Sequence, residues 1–262
     1  MGIINVTPDS FFDGSRTPDA DRLRQRVQSM IDDGADMIDV GGYSSRPGAD
    51  DVSESEELDR VGRGIEIVRE ISGDIPVSVD TFRSRVACEA VTSLGADIIN
   101  DISGGDLDPA MFDTVARTGA PYILMHMRGT PTTMQTLTDY DNVITDVTAS
   151  LAAKILDLRS RGVADIIADP GFGFSKTPDQ NYRLLAGLSY MIHTLDCPML
   201  VGVSRKSMIT RPLGITPAEA LPATQVLHTL AIMQGASILR VHDVKEARQA
   251  VTLTSLYLKS TL

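Results

Sequence analysis

The sequence predicts an α/β protein built as one domain over residues 1–262 and folded as a closed (βα)8 TIM barrel. Three observations carry that prediction. The chain is 262 residues long, the usual size for eight βα units in a single barrel. Short apolar runs alternate with longer amphipathic stretches from end to end, the pattern of a βα repeat around a parallel sheet. The apolar runs number eight, the count a closed barrel needs.

The predicted strands fall at about 2–5, 36–40, 75–79, 97–100, 121–125, 165–169, 198–203 and 237–241. Their entries alternate. Gly34-Ala35-Asp36, Gly95-Ala96-Asp97 and Gly235-Ala236-Ser237 precede the second, fourth and eighth strands, and the variant Gly162-Val163-Ala164-Asp165 precedes the sixth. Pro76, Pro121 and Pro198 lead into the third, fifth and seventh. Such alternation suggests duplicated βαβα modules and favours a closed barrel over an open doubly wound sheet. The helices between them have readable starts. Ser53-Glu54-Ser55-Glu56, Thr177-Pro178-Asp179-Gln180 and Thr216-Pro217-Ala218-Glu219 each read as a capping box, the last two with proline at the first helical position. The glycines ahead of the even-numbered strands stand where a left-handed residue would end the preceding helix.

Composition excludes several classes of function. A formal net charge of -11 speaks against nucleic-acid partners and against an anionic membrane surface, both of which need a basic face. An anionic ligand must therefore be caught by a local basic cluster. The two cysteines, Cys88 and Cys197, lie far apart without neighbouring histidines, which points to reduced thiols and not to a disulfide or zinc site. No leader and no apolar run long enough to span a bilayer stands out, so a soluble cytoplasmic protein is expected. The chain begins almost inside its first strand, which suggests that a preceding stretch is missing.

In a barrel of this kind the C-terminal strand ends build the active site. Here nearly every one is polar: Asn5, Asp80, Asn100-Asp101, His126 and Asp169, then Ser204-Arg205-Lys206-Ser207, then Arg240-Val241-His242. Any one of them could be a cap or a turn residue, and His126 reads equally as a structural bridge or a ligand. Seven polar strand ends on one rim point to function. His193 and His228 fall within helical stretches and read as structural.

The residue types suggest a ligand. Asp80 and Asp169 beside Asn100 offer acceptors and an amide to a flat, donor-rich heterocycle. Lys206 can donate to a ring carbonyl or nitrogen. Arg240 can lay its guanidinium plane on an aromatic face, and His242 precedes the last helix, whose N-terminus suits phosphate. Asn5 is an oxygen ligand fit for Mg²⁺, an ion that keeps waters and borrows phosphate oxygens from its substrate.

The segments NVTPDSFFDG (5–14), GGYSSRPGA (41–49), SVDTF (78–82), NDISGG (100–105), LMHM (124–127), DPGFGF (169–174), SRKS (204–207) and RVHD (240–243) span the chain in order. Together they resemble the dihydropteroate synthases, pterin-binding barrels of folate biosynthesis. The resemblance implies condensation of 6-hydroxymethyl-7,8-dihydropterin pyrophosphate with p-aminobenzoate, releasing pyrophosphate. It implies that Asp80, Asn100, Asp169 and Lys206 hold the pterin, with Met125 and Arg240 against its faces. Asn5, Arg240 and His242 would hold pyrophosphate and Mg²⁺. Ser45, Arg46, Pro47, Phe174 and Ser207 would form the aminobenzoate site, and Asp80, Lys206, Arg240 and His242 would serve the chemistry. A homodimer through the last helices is also implied. The family usually has Thr where Ser45 stands and a small or acidic residue at Tyr43. The Phe-Phe pair among carboxylates in the first loop is expected to form a lid. Asp9 or Asp13 would pair with Arg46, Phe11 would cover the aminobenzoate, and Phe12 would pack in the body of the protein.

Three other readings use the same residues. A pterin-binding domain could pass a folate methyl group to a corrinoid protein, although SRKS and the Phe-containing loop argue against it. Lys206 could be the Schiff-base lysine of an aldolase. A non-catalytic pterin-binding module would have the same pocket but no need of Asn5 or His242.

Overall fold

The structure, a computed structural model, describes residues 1–6, 18–43 and 52–260. Eight short strands alternate with helices, as the apolar runs predict: β1 (Gly2–Asn5), β2 (Ile38–Gly41), β3 (Val77–Asp80), β4 (Ile98–Asp101), β5 (Tyr122–Met125), β6 (Ile166–Asp169), β7 (Leu200–Val201) and β8 (Ile238–Leu239). Between them run α1 (Pro18–Asp32), α2 (Glu54–Ile71), α3 (Ser84–Glu89), α4 (Met111–Thr118), α5 (Val143–Ser160), α6 (Pro178–Ala186), α7 (Leu188–Leu195), α8 (Ser207–Leu213) and α9 (Leu221–Met233). The last helix, α10 (Val244–Ser260), follows β8.

β1 to β6 pair in parallel in sequence order, and β7 pairs with β8. The bridges Ala168↔Met199 and Gly2↔Val241 join the two pieces, so the ring is a closed (βα)8 barrel. Parallel strands all finish at the same rim, and their register sets which side chains share a level. Asn5, Gly41, Asp80 and Asn100 are partners in turn across β1 to β4, while Met125 stands level with Asp169. Because side chains alternate faces along a strand, Asp39 lies on the face of Gly41 but one layer deeper. Buried Met1, Ile98, Ile123 and Leu200 form a small cluster of their own. The main core, with Val40, Val79, Ile99 and Leu124, lies between the sheet and the helices.

The helix signals mostly hold. Ser53 caps α2 by accepting from Glu56 N at 3.3 Å, and Thr177 with Gln180 makes a full capping box at α6. The third expected box closes a turn instead. Glu219 takes the backbone N–H and hydroxyl of Thr216 at 2.9 and 2.8 Å, but α9 starts only at Leu221. Pro222 explains the difference: it lacks the N–H a helix running on from Pro217 would need, so the helix restarts with proline in its first turn. The glycines before the even strands are left-handed as expected, with φ of 90° at Gly34, 87° at Gly95 and Gly162, and 98° at Gly235. Among the described residues no helix is long and apolar enough to cross a membrane.

Candidate active site

At the barrel mouth Arg240, just past β8, reaches between two carboxylates. Its Nε donates to Asp39 Oδ2 at 2.7 Å and its Nη2 to Asp80 Oδ2 at 2.6 Å. The Asn100 amide nitrogen lies 3.2 Å from both oxygens of Asp39. Asp39 is completely buried, whereas Asp80 and Arg240 each keep about a fifth of their side chain exposed. Burial raises the Asp80 carboxyl to about 7, with Arg240 pulling the other way. Burial disfavours the charge on Arg240, but Asp39 and Asp80 outweigh it and push the guanidinium up. Nε and Nη2 are committed to these ion pairs, which leaves Nη1 for an anion and the guanidinium plane for an aromatic ring.

Asp169 and Lys206 form a second group. Asp169 Oδ1 accepts from Gly171 N at 2.7 Å. Lys206 precedes α8, and its Nζ donates to Phe172 O at 2.5 Å while standing 4.9 Å from the Phe174 ring centre. Burial raises the Asp169 carboxyl against the opposing charge of Lys206. Burial lowers Lys206 to about 8, with Asp169 in opposition. Met125 is buried with Ile102, Met127 and Met134, and half-buried Phe174 packs on that cluster.

His242 stands beside Ser204, with Nδ1 3.1 Å from its Oγ. Burial, then Arg240, lowers its pKa to about 4, so the ring is neutral at pH 7. Arg205, in the left-handed region with φ 56°, makes two 2.8 Å bonds to Asp243 and locks the turn that carries Lys206. Asn5 ends β1 half-buried, and Ser207 opens α8 exposed.

The structure divides the polar strand ends by role. Asn100 faces Asp39, but Asp101 staples its own loop, accepting from Ser103 N and Oγ at 2.7 Å, Gly105 N at 2.8 Å and Tyr122 OH at 2.7 Å. His126 finds a partner unforeseen from sequence, Lys176, whose Nζ lies 3.1 Å from its Nδ1. Burial lowers His126 to about 2 and Lys176 to about 7. Asp39 is the other residue that sequence reasoning missed. Its signal was a carboxylate in the middle of the apolar run Met37-Ile38-Asp39-Val40. His193 and His228 are structural as expected: Nδ1 of the first lies 2.7 Å from Ser189 O, and the second is buried in α9. Both cysteines are free.

Phe11, Phe12, Asp9, Asp13, Ser45, Arg46 and Pro47 lie outside the described residues. The segments on either side of 44–51 meet at Arg83. Its guanidinium sits 5.5 Å from the Tyr43 ring centre and donates to Val52 O at 2.7 Å and Glu57 at 2.6 Å.

A closed barrel whose mouth combines buried carboxylates, an amide, a lysine and an arginine defines a class: a profile described as pterin binding enzyme matches residues 1–242, and the chain belongs to that family. Within it the chain falls among the dihydropteroate synthases. The enzyme of that name from Escherichia coli (strain K12) is 42% identical over 262 residues, covering 99% of this chain and 92% of the relative. That from Synechocystis sp. is 44% identical over 252 residues, covering 95% and 86%. The crystal structure of Yersinia pestis dihydropteroate synthase with a sulfonamide drug complex superposes with a TM-score of 0.90 at 42% identity, covering 98% of this chain and 93% of that one. The Xanthomonas albilineans enzyme with 4-aminobenzoic acid gives 0.89 at 36% identity, covering 98% and 92%. These relatives do not favour the corrinoid methyltransferase reading.

Proposed function

We propose that the barrel mouth condenses 6-hydroxymethyl-7,8-dihydropterin pyrophosphate with p-aminobenzoate, giving 7,8-dihydropteroate and pyrophosphate. One observation carries this reading: Asp39, Asp80, Asn100, Asp169, Lys206 and Arg240 gather at one end of the barrel, so acceptors and cations converge where a donor-rich ring bearing an anion would sit.

Asp169 and Asp80 accept from the pterin's N–H edge, Asn100 adds an amide, and Lys206 donates to a ring carbonyl or nitrogen. Met125 covers one face of the ring and the Arg240 plane the other. The bond from the pterin methylene to pyrophosphate breaks first, and its electron pair leaves with the phosphate oxygen. The positive charge left on the pterin is stabilised by Asp80 and the other ring-edge acceptors. Arg240, His242 and the N-terminus of α10 hold the departing anion. The lone pair of the p-aminobenzoate amine then forms the new C–N bond, and its proton goes to solvent or to pyrophosphate. Phe174, with Ser45, Arg46, Pro47, Ser207 and Phe11, forms the aminobenzoate site.

Mg²⁺ is part of the proposal, held by Asn5. Among the described residues no cluster of three His, Cys, Asp or Glu could cage a metal ion, and a single neutral oxygen suits an ion that takes its other ligands from water and substrate phosphates. When bound, it would offset the charge that builds on pyrophosphate. We further propose a cytoplasmic homodimer. Reduced thiols suit that compartment, and α9 and α10 leave Val226, Leu230, Met233, Leu253, Leu256 and Tyr257 exposed.

Incubating the protein with Mg²⁺, the pterin pyrophosphate and labelled p-aminobenzoate should yield labelled dihydropteroate. An active positive control beside a preparation that forms none would reject the assignment.

A further inference from the structure

Lys176 and His126 are buried together, 3% and 4% exposed, and the reaction scheme uses neither. They come from different strands: Lys176 from the loop after β6, His126 from the end of β5. Lys176 Nζ lies 3.0 Å from Gly171 O, 2.9 Å from Phe174 O and 3.1 Å from His126 Nδ1. A lysine amine removed from water needs such compensation, and here three partners supply it.

The loop from Gly171 to Thr177 is also held by a turn bond from Phe174 N to Gly171 O at 3.1 Å, by Gln135 Nε2 on Gly173 O at 3.3 Å, by Lys206 Nζ on Phe172 O at 2.5 Å, and by the fully buried Phe172, but none of these ties the Phe174 carbonyl to β5. Ser175 adds a stitch to the β5 side, accepting from Arg128 N at 2.8 Å and donating to Arg128 O at 2.9 Å. Asn181 of α6 accepts from Gly173 N at 2.7 Å. Asp169 has supports of its own, namely its strand pairing with Met125, the bond from His126 N to its carbonyl at 2.9 Å, and Gly171 N on its carboxylate. Phe174 stands five residues past the strand, and Lys176 binds its carbonyl directly.

We propose that Lys176 is a positioning residue: by tying Gly171 and Phe174 to His126, it sets where the Phe174 ring stands beside Lys206, and so governs binding of the aromatic amine and not of the pterin. This rests on the assignment of Phe174 to the p-aminobenzoate site.

Lys176→Met keeps most of the stem's volume and removes the polar contacts. In steady-state kinetics with both substrates varied, it should raise the KM for p-aminobenzoate about fivefold or more, with that for the pterin pyrophosphate within about twofold. His126→Leu, which removes the imidazole and leaves residue 126 only its backbone carbonyl, 3.5 Å from Lys176 Nζ, should shift the same KM in the same direction. His126→Asn keeps an acceptor near the Nδ1 position and should return it to within about twofold of the unaltered protein. An equal rise in both KM values, or an unchanged KM for p-aminobenzoate, would overturn the proposal. If Lys176→Met does not fold, the two His126 variants decide by the same criterion. An unaltered protein that forms no dihydropteroate would overturn the reaction assignment and this proposal with it, a result distinct from an active enzyme whose KM values fail to separate.

Discussion

At the scale of single residues, the mouth works because charges are buried only with partners. Arg240 is shared by Asp39 and Asp80, and removing any one member would strand the others in a poorly solvated place. Asp169 differs, since its carboxylate is turned to a single backbone N–H and keeps acceptor capacity for a ligand. Asp169→Asn can still accept from Gly171, so the fold should survive. The new amide N–H would face the pterin's own donors, costing roughly 1–3 kcal/mol of binding, or about 5- to 150-fold in Kd. Titration calorimetry with a pterin ligand checks this, and an unaltered Kd would take Asp169 out of the site.

At the scale of an element, the β6 loop depends on how closely its backbone approaches β5. Gly171 has φ 70°, and a Cβ there would lie 2.0 Å from His126 O. Gly119, at the end of α4, has almost the same φ of 69° with nothing within 4 Å of the corresponding position. Alanine at Gly119 therefore costs only the left-handed backbone penalty, about 1–2 kcal/mol. Alanine at Gly171 pays that penalty and must also lift the loop off β5, moving the segment that carries Phe174. Gly119→Ala should keep its KM values while losing a few degrees in Tm, and Gly171→Ala should lose most activity. Denaturation curves and initial rates on the same preparations compare the two.

For the molecule as a whole, acid stability and assembly follow from what the helices bury and expose. His228 is fully buried, with Nδ1 3.2 Å from Gln225 Oε1, and burial lowers its pKa from 6.5 to about 4 against the pull of Asp243. A depressed folded-state pKa adds stability that is complete above the unfolded value and is lost as pH falls through the folded one. Between pH 6.5 and 4 this histidine should thus cost the fold on the order of 3 kcal/mol. Urea unfolding at a series of pH values should show that loss, and His228→Leu should flatten it. Assembly is tested at the apolar surface of α9 and α10. Leu256, 60% exposed, should be covered in a dimer, so the unaltered protein should sediment as a dimer and Leu256→Arg as a monomer. A monomeric parent protein would remove the dimer from the proposal.

The sequence by itself determined the barrel and the rim. Strand runs, left-handed glycines at helix ends, the full capping box at Thr177 and the N-cap at Ser53 are local signals, read within a few residues, and they place all eight strands. Once the strands are parallel, their polar ends must lie on one rim, which is why Asn5, Asp80, Asn100, Asp169, Lys206, Arg240 and His242 were legible as a group. Even the division between Asn100 and Asp101 follows from the alternation of faces along β4. Only the tertiary structure decided the pairing. Arg240 meets Asp39 across 201 residues of chain, and Lys176 meets His126 across 50. Such contacts depend on the level at which each strand sits in the closed ring and on the path of the loops. Both are set by packing over the whole barrel, and no local pattern encodes them.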